Sequence, residues 1–487
     1  MPDLQPEPSI PDALPTPVLR FAGGTLILEG LPKAALARLF GEGLWAWDSR
    51  ASVWRADAMA YATVYARLKA RGVAFQDEVP QWRPVRWGEN HIHPLRPEQE
   101  AARRAWLETR RGTVIMPTGT GKTEVALSIL EETAVATLVV APVRDLMYQW
   151  HRRILGALGV DAGIIGDSTF NVRPVSVTTY DSACIHMEKL GAHFQLLVFD
   201  ECHHLPGPLR SDAARMSAAP WRLGLTATLE RADGRHQLLD GLIGPVVYQM
   251  ALAAARGKTL AEYEVVRIPV HLSEEEQSLY DRLSLQVRRF VADRRVADPS
   301  FTWESACAQT GEDPEARKVH KAFLIKRAVE DRAQEKLRVL EDLFRLHQEE
   351  RVIVFTGTNA MAREVSLRFL LPCLLSHCGK KERLEILEGL QSGIYPALVA
   401  NQVLDEGVDL PEAKVAVVLG GMSSTRQAKQ RLGRILRRTG EARATLYEVV
   451  CLDTKEEERS RTRRRSDAYP RASRRQPSGQ GGRTASR

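Results

Sequence analysis

A chain of 487 residues is too long for one ordinary core and suggests about three domains. Hydrophobic residues make up 44%, yet no apolar run reaches the roughly 18 residues a helical membrane span needs. The net charge of +7 is concentrated at one end: residues 459–487 carry ten Arg against the single acid Asp467, which leaves residues 1–458 at −2. Any nucleic-acid site in the body must therefore come from local basic patches.

Residues 1–17 are Pro-rich and acidic, lack the basic-then-apolar order of a secretory signal, and are expected to be disordered in a cytoplasmic protein. Residues 18–78 show a small α/β pattern: a strand at Thr25–Leu28, a hairpin with arms 45–47 and 52–54, and a helix from Ala58 to Ala70 ended by Gly72. The tryptophans of that hairpin (Trp45, Trp47, Trp54) could stack on bases, although cross-strand packing accounts for them more simply. Residues 79–94, with three prolines and no period, read as a linker, and Leu95-Arg96-Pro97-Glu98-Gln99 heads a helix.

Thr113 to Leu127, T-V-I-M-P-T-G-T-G-K-T-E-V-A-L, organises the chain. A β-branched run turns through Gly119, Thr120 and Gly121 into Lys122, Thr123 and a helix start. Such a loop wraps backbone N–H groups around a phosphate, with Lys122 reaching the β/γ-phosphates and the Thr123 hydroxyl on Mg²⁺. Met116 stands where the first glycine of the usual phosphate-loop pattern would be. A turn that binds nothing would still have to explain Lys-Thr at that spacing.

From 137 to 250, strand and helix patterns alternate, which predicts a parallel doubly wound sheet with ligands at the carboxyl ends of its strands. Polar clusters follow the strands at Arg144, at Thr179, at Asp200-Glu201 and at Thr226-Ala227-Thr228. One carboxylate of the acidic pair can hold Mg²⁺ and the other can orient or deprotonate water. A bare acidic pair after a strand could equally be a helix cap.

Residues 256–347 break the alternation, with helical stretches at 275–290 and 328–347 and a loop at 298–300. Arg288, Arg289, Arg294 and Arg295 either grip phosphates or coat a solvated helix. A second α/β domain follows, with strands at 352–355, 397–400 and 415–419 and no phosphate loop of its own. It offers Gly407-Val408-Asp409, and a helix on which Arg434 and Arg437 share one side and could act as arginine fingers. Periodicity ends at Glu456, and the basic tail suggests non-specific binding to nucleic acid or acidic partners, or a solubilising role. The six cysteines are scattered. Cys373 and Cys378 lack a second pair for a zinc site, so buried free thiols are expected.

Taken together, L-R-P-E-Q, M-P-T-G-T-G-K-T, V-A-P-V-R-D-L, V-T-T-Y-D-S-A, D-E-C-H-H, G-L-T-A-T, V-L-D-E-G-V-D-L-P and Q-R-L-G-R-I-L-R resemble, in order, the motifs of a superfamily 2 helicase. More narrowly, D-E-C-H-H-L-P, R-L-G-L-T-A-T-L-E-R-A-D-G-R-H and the Trp-containing N-terminal module resemble the XPB family of DNA repair helicases in its short archaeal and bacterial form.

The resemblance implies an α/β fold: a disordered 1–17, a damage-recognition-like α/β domain at 18–78, a linker at 79–94 and a RecA-like parallel-sheet domain at 95–255. A helical thumb-like insertion at 256–325, a second RecA-like domain at 326–455 and a basic disordered tail at 456–487 complete it. It implies ATP and Mg²⁺, with Gln99, Gly119, Thr120, Gly121, Lys122, Thr123, Gly407 and Asp409 on the nucleotide and Thr123 and Asp200 on the metal. Lys122, Glu201, Gln430, Arg434 and Arg437 would carry hydrolysis, and Thr226 and Thr228 would couple it to DNA. Arg144, Thr179, Arg231 and Asn401 would contact DNA. The implied activity is ATP-driven 3′-to-5′ translocation or unwinding by a monomer working with an endonuclease partner; an ATP-switched clamp or scaffold for a repair nuclease is the alternative. Two departures stand out. The family's Arg-Glu-Asp element is Arg231-Ala232-Asp233 here, which predicts weak strand separation, and Glu98 replaces a frequent aromatic beside the adenine.

Overall fold

The computed structural model describes residues 16–229, 233–251, 254, 263–375, 377–401, 413–420 and 444–463. They fall into two compact units that divide after Ala255. No helix among the described residues is long and apolar enough to cross a membrane.

The first unit opens with a five-stranded sheet of β1 (Val18–Ala22), β2 (Thr25–Glu29), β3 (Ala46–Asp48), β4 (Val53–Asp57) and β5 (Gln76–Asp77), in the order β3-β4-β2-β1-β5. β1 and β2 form a hairpin around Gly23 and Gly24, whose φ values of 57° and 75° suit glycine. The β3–β4 hairpin places Trp47 opposite Trp54 with ring centroids 5.0 Å apart, so these two rings pack across the strands, and Trp47 remains half exposed. Helices Lys33–Phe40 and Tyr61–Ala70 cover one apolar core with Leu19, Leu26, Leu28, Leu36, Val64 and Leu68. The segment 79–94 has no helix or strand and is strapped down. The Trp87 indole donates to Glu131 O at 3.0 Å, and the Gly88 and His91 N–H groups donate to Leu158 O and Ala157 O at 2.9 and 2.8 Å.

Next comes an eight-stranded sheet of β6 (Arg111–Ile115), β7 (Thr137–Ala141), β8 (Gly163–Gly166), β9 (Thr169–Phe170), β10 (Val175–Thr179), β11 (Leu196–Asp200), β12 (Trp221–Thr226) and β13 (Val246–Gln249). Its order is β13-β6-β12-β11-β7-β10-β8-β9, parallel except for the β8–β9 hairpin. Every residue of β7, β10 and β11 is buried, as expected for strands covered on both faces. Arg222 lies fully buried on β12 and donates to the carbonyls of Ala219, Leu242, Ala214 and Ser217 at 2.6–3.2 Å. Burial pushes its pKa down to about 9, which leaves it charged at neutral pH.

The second unit holds a six-stranded parallel sheet of β14 (Tyr263–Val270), β15 (Val352–Phe355), β16 (Cys373–Leu374), β17 (Ala397–Ala400), β18 (Val415–Val418) and β19 (Ala444–Cys451). The order is β14-β19-β18-β15-β17-β16.

Three sequence expectations are corrected here. Residues 263–270, assigned to the helical insertion, form edge strand β14, paired with β19 along its whole length. Glu264, Arg267 and Pro269 disguise it, and an edge tolerates all three. The stretch 328–347 is two helices, Pro314–Asp331 and Gln334–Leu346, broken where Ala333 adopts φ −51° and ψ 128°. Finally, the start of the supposed tail is helix Lys455–Arg463. That helix docks by charge: the fully buried Lys336 ammonium donates to both Glu456 oxygens at 2.9 and 2.7 Å and to Leu419 O at 2.6 Å. Burial opposes the Lys336 charge, yet Glu456 and Asp331 hold its pKa above the ordinary value.

Because Lys336→Met strands a buried carboxylate, it should cost about 3–5 kcal/mol in urea unfolding. The double variant Lys336→Met, Glu456→Leu should recover most of that loss.

Candidate functional site

β6 delivers the chain into residues 116–121, and helix Lys122–Thr133 begins where the loop ends. Gly119 and Gly121 have φ of 84° and 86°, and a Cβ on Gly121 would sit 2.2 Å from Gln99 Nε2, so the turn needs glycine there. Met116 is a different matter. Its φ is not positive and its side chain is fully buried in the core, so a glycine is dispensable. The Thr120 hydroxyl donates to Pro117 O at 2.7 Å, and Gln99 braces the loop: its amide donates to Thr120 O and accepts from Arg96 N–H, both at 2.9 Å. Lys122 is nearly buried. Its ammonium donates to Met116 O at 3.3 Å and lies 3.7 Å from Glu201 Oε1.

Asp200 closes β11, two strands from β6 with β12 between them. One carboxylate oxygen accepts from the Trp150 indole at 2.9 Å, the other from Glu201 N–H at 3.0 Å. The Tyr180 hydroxyl donates to Asp200 O at 3.0 Å. Burial, then the neighbouring Glu201 charge, raises the Asp200 pKa to about 6, against the pull of Trp150 and Lys122. Glu201 takes a left-handed conformation, φ 46° and ψ 53°, uncommon for a non-glycine residue and a local strain that functional sites often store. Its carboxylate thereby lies between Lys122 and His203, the latter at 3.5 Å. His203 Nδ1 shares a hydrogen bond of 2.9 Å with the Thr226 hydroxyl, which donates to Thr228 O at 2.8 Å. Met116 N–H donates to Thr226 O at 3.0 Å, closing the circuit back to the loop.

The structure thus gathers Gln99, Gly119, Thr120, Gly121, Lys122, Thr123, Asp200, Glu201, Thr226 and Thr228 at the carboxyl ends of three neighbouring strands. Arg144 follows β7, and Thr179 closes the adjacent β10. Arg144 is largely exposed and paired with Asp167 at 2.7 Å, and Thr179 caps helix Tyr180–Leu190 by accepting from Ser182 N–H at 3.3 Å. Asn401 belongs to the second unit, after β17, and donates to Asn359 Oδ1 at 2.7 Å. Arg231, Gly407, Asp409, Gln430, Arg434 and Arg437 lie outside the described residues.

Sequence reasoning assigned no role to Trp150, Tyr180 or His203. His203 stood in view within D-E-C-H-H, whereas Trp150, 50 positions before Asp200, carried no signal beyond helical spacing.

These residues fit a metal-bound nucleoside triphosphate. The loop supplies a cation and backbone donors, Thr123 and Asp200 supply hard oxygen ligands, and the buried Thr118 hydroxyl oxygen has no hydrogen-bond partner among the described residues. The raised Asp200 pKa has a consequence for stability: the folded state holds a proton that the unfolded chain releases near pH 4. That contribution is present at low pH and lost as pH rises through about 6. In metal-free buffer, the wild type should therefore lose melting temperature between pH 5 and 7 by an amount missing from Asp200→Asn.

Three family descriptions match the chain. The Xeroderma pigmentosum group B helicase damage recognition domain matches residues 19–79, the type III restriction enzyme res subunit residues 92–231, and the helicase conserved C-terminal domain residues 335–439. The chain is 38% identical over 419 residues to the DNA 3′-5′ translocase XPB2 of Sulfurisphaera tokodaii, covering 86% of this chain and 95% of that protein. It is 28% identical to the DNA 3′-5′ helicase XPB of Kineococcus radiotolerans, over 76% of this chain and 62% of that longer protein. Among solved structures, the Hef helicase domain of Pyrococcus furiosus aligns at 14% identity and a TM-score of 0.48, over 74% of this chain and 97% of that one. With the fold, the glycine turn and the acidic pair in place, the 38% identity to the XPB2 translocase over nearly the whole of both chains, together with the family descriptions, establishes that the chain belongs to the XPB helicase family.

Proposed function

We propose that the chain is an ATP-dependent DNA helicase or translocase that moves 3′ to 5′ in DNA repair. One observation carries the reading: a phosphate-loop lysine sits 3.7 Å from Glu201, beside an Asp200 pinned by Trp150, in a member of a helicase family.

Lys122 is held by two weak contacts that phosphate oxygens would replace, and its cation would then stabilise charge on the transferred phosphoryl group. Magnesium, when bound, would neutralise phosphate charge, with Asp200 and Thr123 as its protein ligands. Glu201 would orient the attacking water and accept its proton, while His203 keeps the carboxylate in place. Gln99 would touch the adenine, and Gly407 and Asp409 the nucleotide from the second domain. Gln430, Arg434 and Arg437 would close on the developing charge. Arg144, Thr179, Arg231 and Asn401 would hold the DNA backbone. The contacts from Glu201 through His203 to Thr226 and Thr228 supply a physical route between phosphate and DNA. An endonuclease partner, a monomeric state and a cytoplasmic location belong to the same proposal and rest on the family resemblance.

A second reading, the ATP-switched clamp, is favoured by Ala232, which removes the carboxylate expected in the strand-separating element.

Lys122→Ala should reduce DNA-stimulated ATP hydrolysis by about a hundredfold or more; near-normal turnover would remove the site assignment. Trp150→Phe should lower kcat about tenfold, as loss of an outer hydrogen bond to a metal ligand does, with the apparent Mg²⁺ requirement rising in parallel. Single-turnover displacement of a third strand from duplex DNA, compared with fork opening and with Glu201→Gln as the control, separates the remaining readings. Displacement without fork opening indicates a duplex translocase, fork opening a helicase, and neither, despite stimulated hydrolysis, the clamp.

A further inference from the structure

Within the second unit, helices Glu274–Ala297, Trp303–Ala308, Pro314–Asp331 and Lys455–Arg463 border a cavity of about 1080 Å³. Seven cationic side chains line it against four carboxylates, together with the rings of Tyr280, Trp303 and Phe323. Several charges are already committed: Lys455 to Glu458 at 2.8 Å, Arg461 to Glu457 at 3.0 Å, and Arg459 to Glu330, which also accepts from the Tyr280 hydroxyl.

Lys326 is not. It is 7% exposed, yet among the described residues no acceptor lies within hydrogen-bonding distance of its ammonium. That group rests 5.4 Å from the Tyr280 ring centroid and 5.6 Å from that of Phe323. Arg288 lines the same cavity, and among the described residues its Nε reaches only Ser284 O of its own helix, at 3.4 Å. Burial lowers the Lys326 pKa, as do the cations of Arg459, Lys455 and Arg288, while Glu330 opposes them. The opposing charge, Glu330, is committed to Arg459 and the Tyr280 hydroxyl, so Lys326 has no ion pair of its own among the described residues. An incoming anion would supply one.

The aromatic wall restricts which anion. Trp303 lies half-buried on the cavity, with its ring 4.6 Å from that of Phe323. Aromatic surface beside a lysine and an arginine is the combination that binds an unstacked base and its phosphate. The volume lies just above the roughly 300–1,000 Å³ of sites that enclose a small organic ligand, leaving ample room for one nucleotide.

We propose that this cavity takes one unpaired nucleotide of single-stranded DNA, with its base against Trp303 and its phosphate on Lys326 and Arg288. The proposal rests on the reading of the chain as a DNA motor and deepens it, because it gives the helical insertion a hold on an unpaired strand.

The test uses the full chain and fluorescein-labelled dT12, with affinity read by anisotropy and DNA-stimulated ATP hydrolysis measured on blunt duplex in parallel. Lys326→Met, Trp303→Leu and the surface variant Arg288→Gln should each weaken dT12 binding about tenfold, the effect of one stacking or phosphate contact. Lys326→Arg should restore it, and duplex-stimulated hydrolysis should stay within about twofold of wild type. Competition by dTMP, but not by inorganic phosphate at equal concentration, supports a site that recognises base and phosphate together. Unchanged dT12 affinity in Arg288→Gln and Lys326→Met overturns the proposal. So does equal competition by phosphate, which would mark a plain anion site, or binding of dTMP without dT12, which would mark a site for free nucleotides. Loss of duplex stimulation in the wild type would sink the motor reading instead, so the two failures are distinguishable.

Discussion

Two adjacent carboxylates, Asp200 and Glu201, are buried at the end of β11, and much of the first unit serves to make that tolerable. Buried charge is expensive unless it is paired and hydrogen-bonded. Trp150 and the Glu201 N–H take the two Asp200 oxygens, and Lys122 and His203 flank Glu201. Even so, burial raises the Asp200 pKa, so the site is held at a cost to the fold. Parallel strands meet the cost by ending together: the loop after β6, the acidic pair after β11 and Thr226 at the end of β12 share one edge because these strands are neighbours in register.

The second unit solves a similar problem with a different partner. Lys336 is fully buried against Glu456, and this ion pair pins a helix whose sequence has almost no apolar content. Ser460 adds a bond from the same helix to Glu448 at 2.9 Å. A short, highly charged segment is ordered here by a few specific polar contacts, since it lacks the apolar face that usually docks a helix. Lys326 differs from Lys336 in one respect that matters. Both are buried, but among the described residues Lys336 makes a direct ion pair and Lys326 makes none.

Some of this was legible in the residues because the signals are local. Near-continuous β-branched and apolar runs gave away β7, β11, β15, β17 and β18, since strands buried on both faces are mostly apolar, and β10 followed the same pattern despite its buried Ser176 and Thr178. Gly119, Gly121 and Lys122 announced the phosphate loop through backbone conformation and charge. Strand β14 and helix Lys455–Arg463 escaped, because their partners, β19 and Lys336, lie far away in sequence and supply what their own residues lack. Of the six cysteines expected to be buried thiols, Cys202 and Cys451 are buried, whereas Cys184, Cys307, Cys373 and Cys378 are partly exposed.

By itself, then, the sequence determined the family and the α/β architecture, and pointed to the glycine turn, Lys122 and the acidic pair proposed as the nucleotide site, because each depends on residue type and short-range spacing. Only the tertiary structure decided that Trp150 bonds to Asp200 and His203 flanks Glu201, that Met116 serves the core in place of a glycine, and that Lys326 faces a cavity without an ion pair among the described residues. Those facts depend on which distant side chains the crossovers of a parallel sheet bring within a few ångströms, and local residue pattern does not encode that.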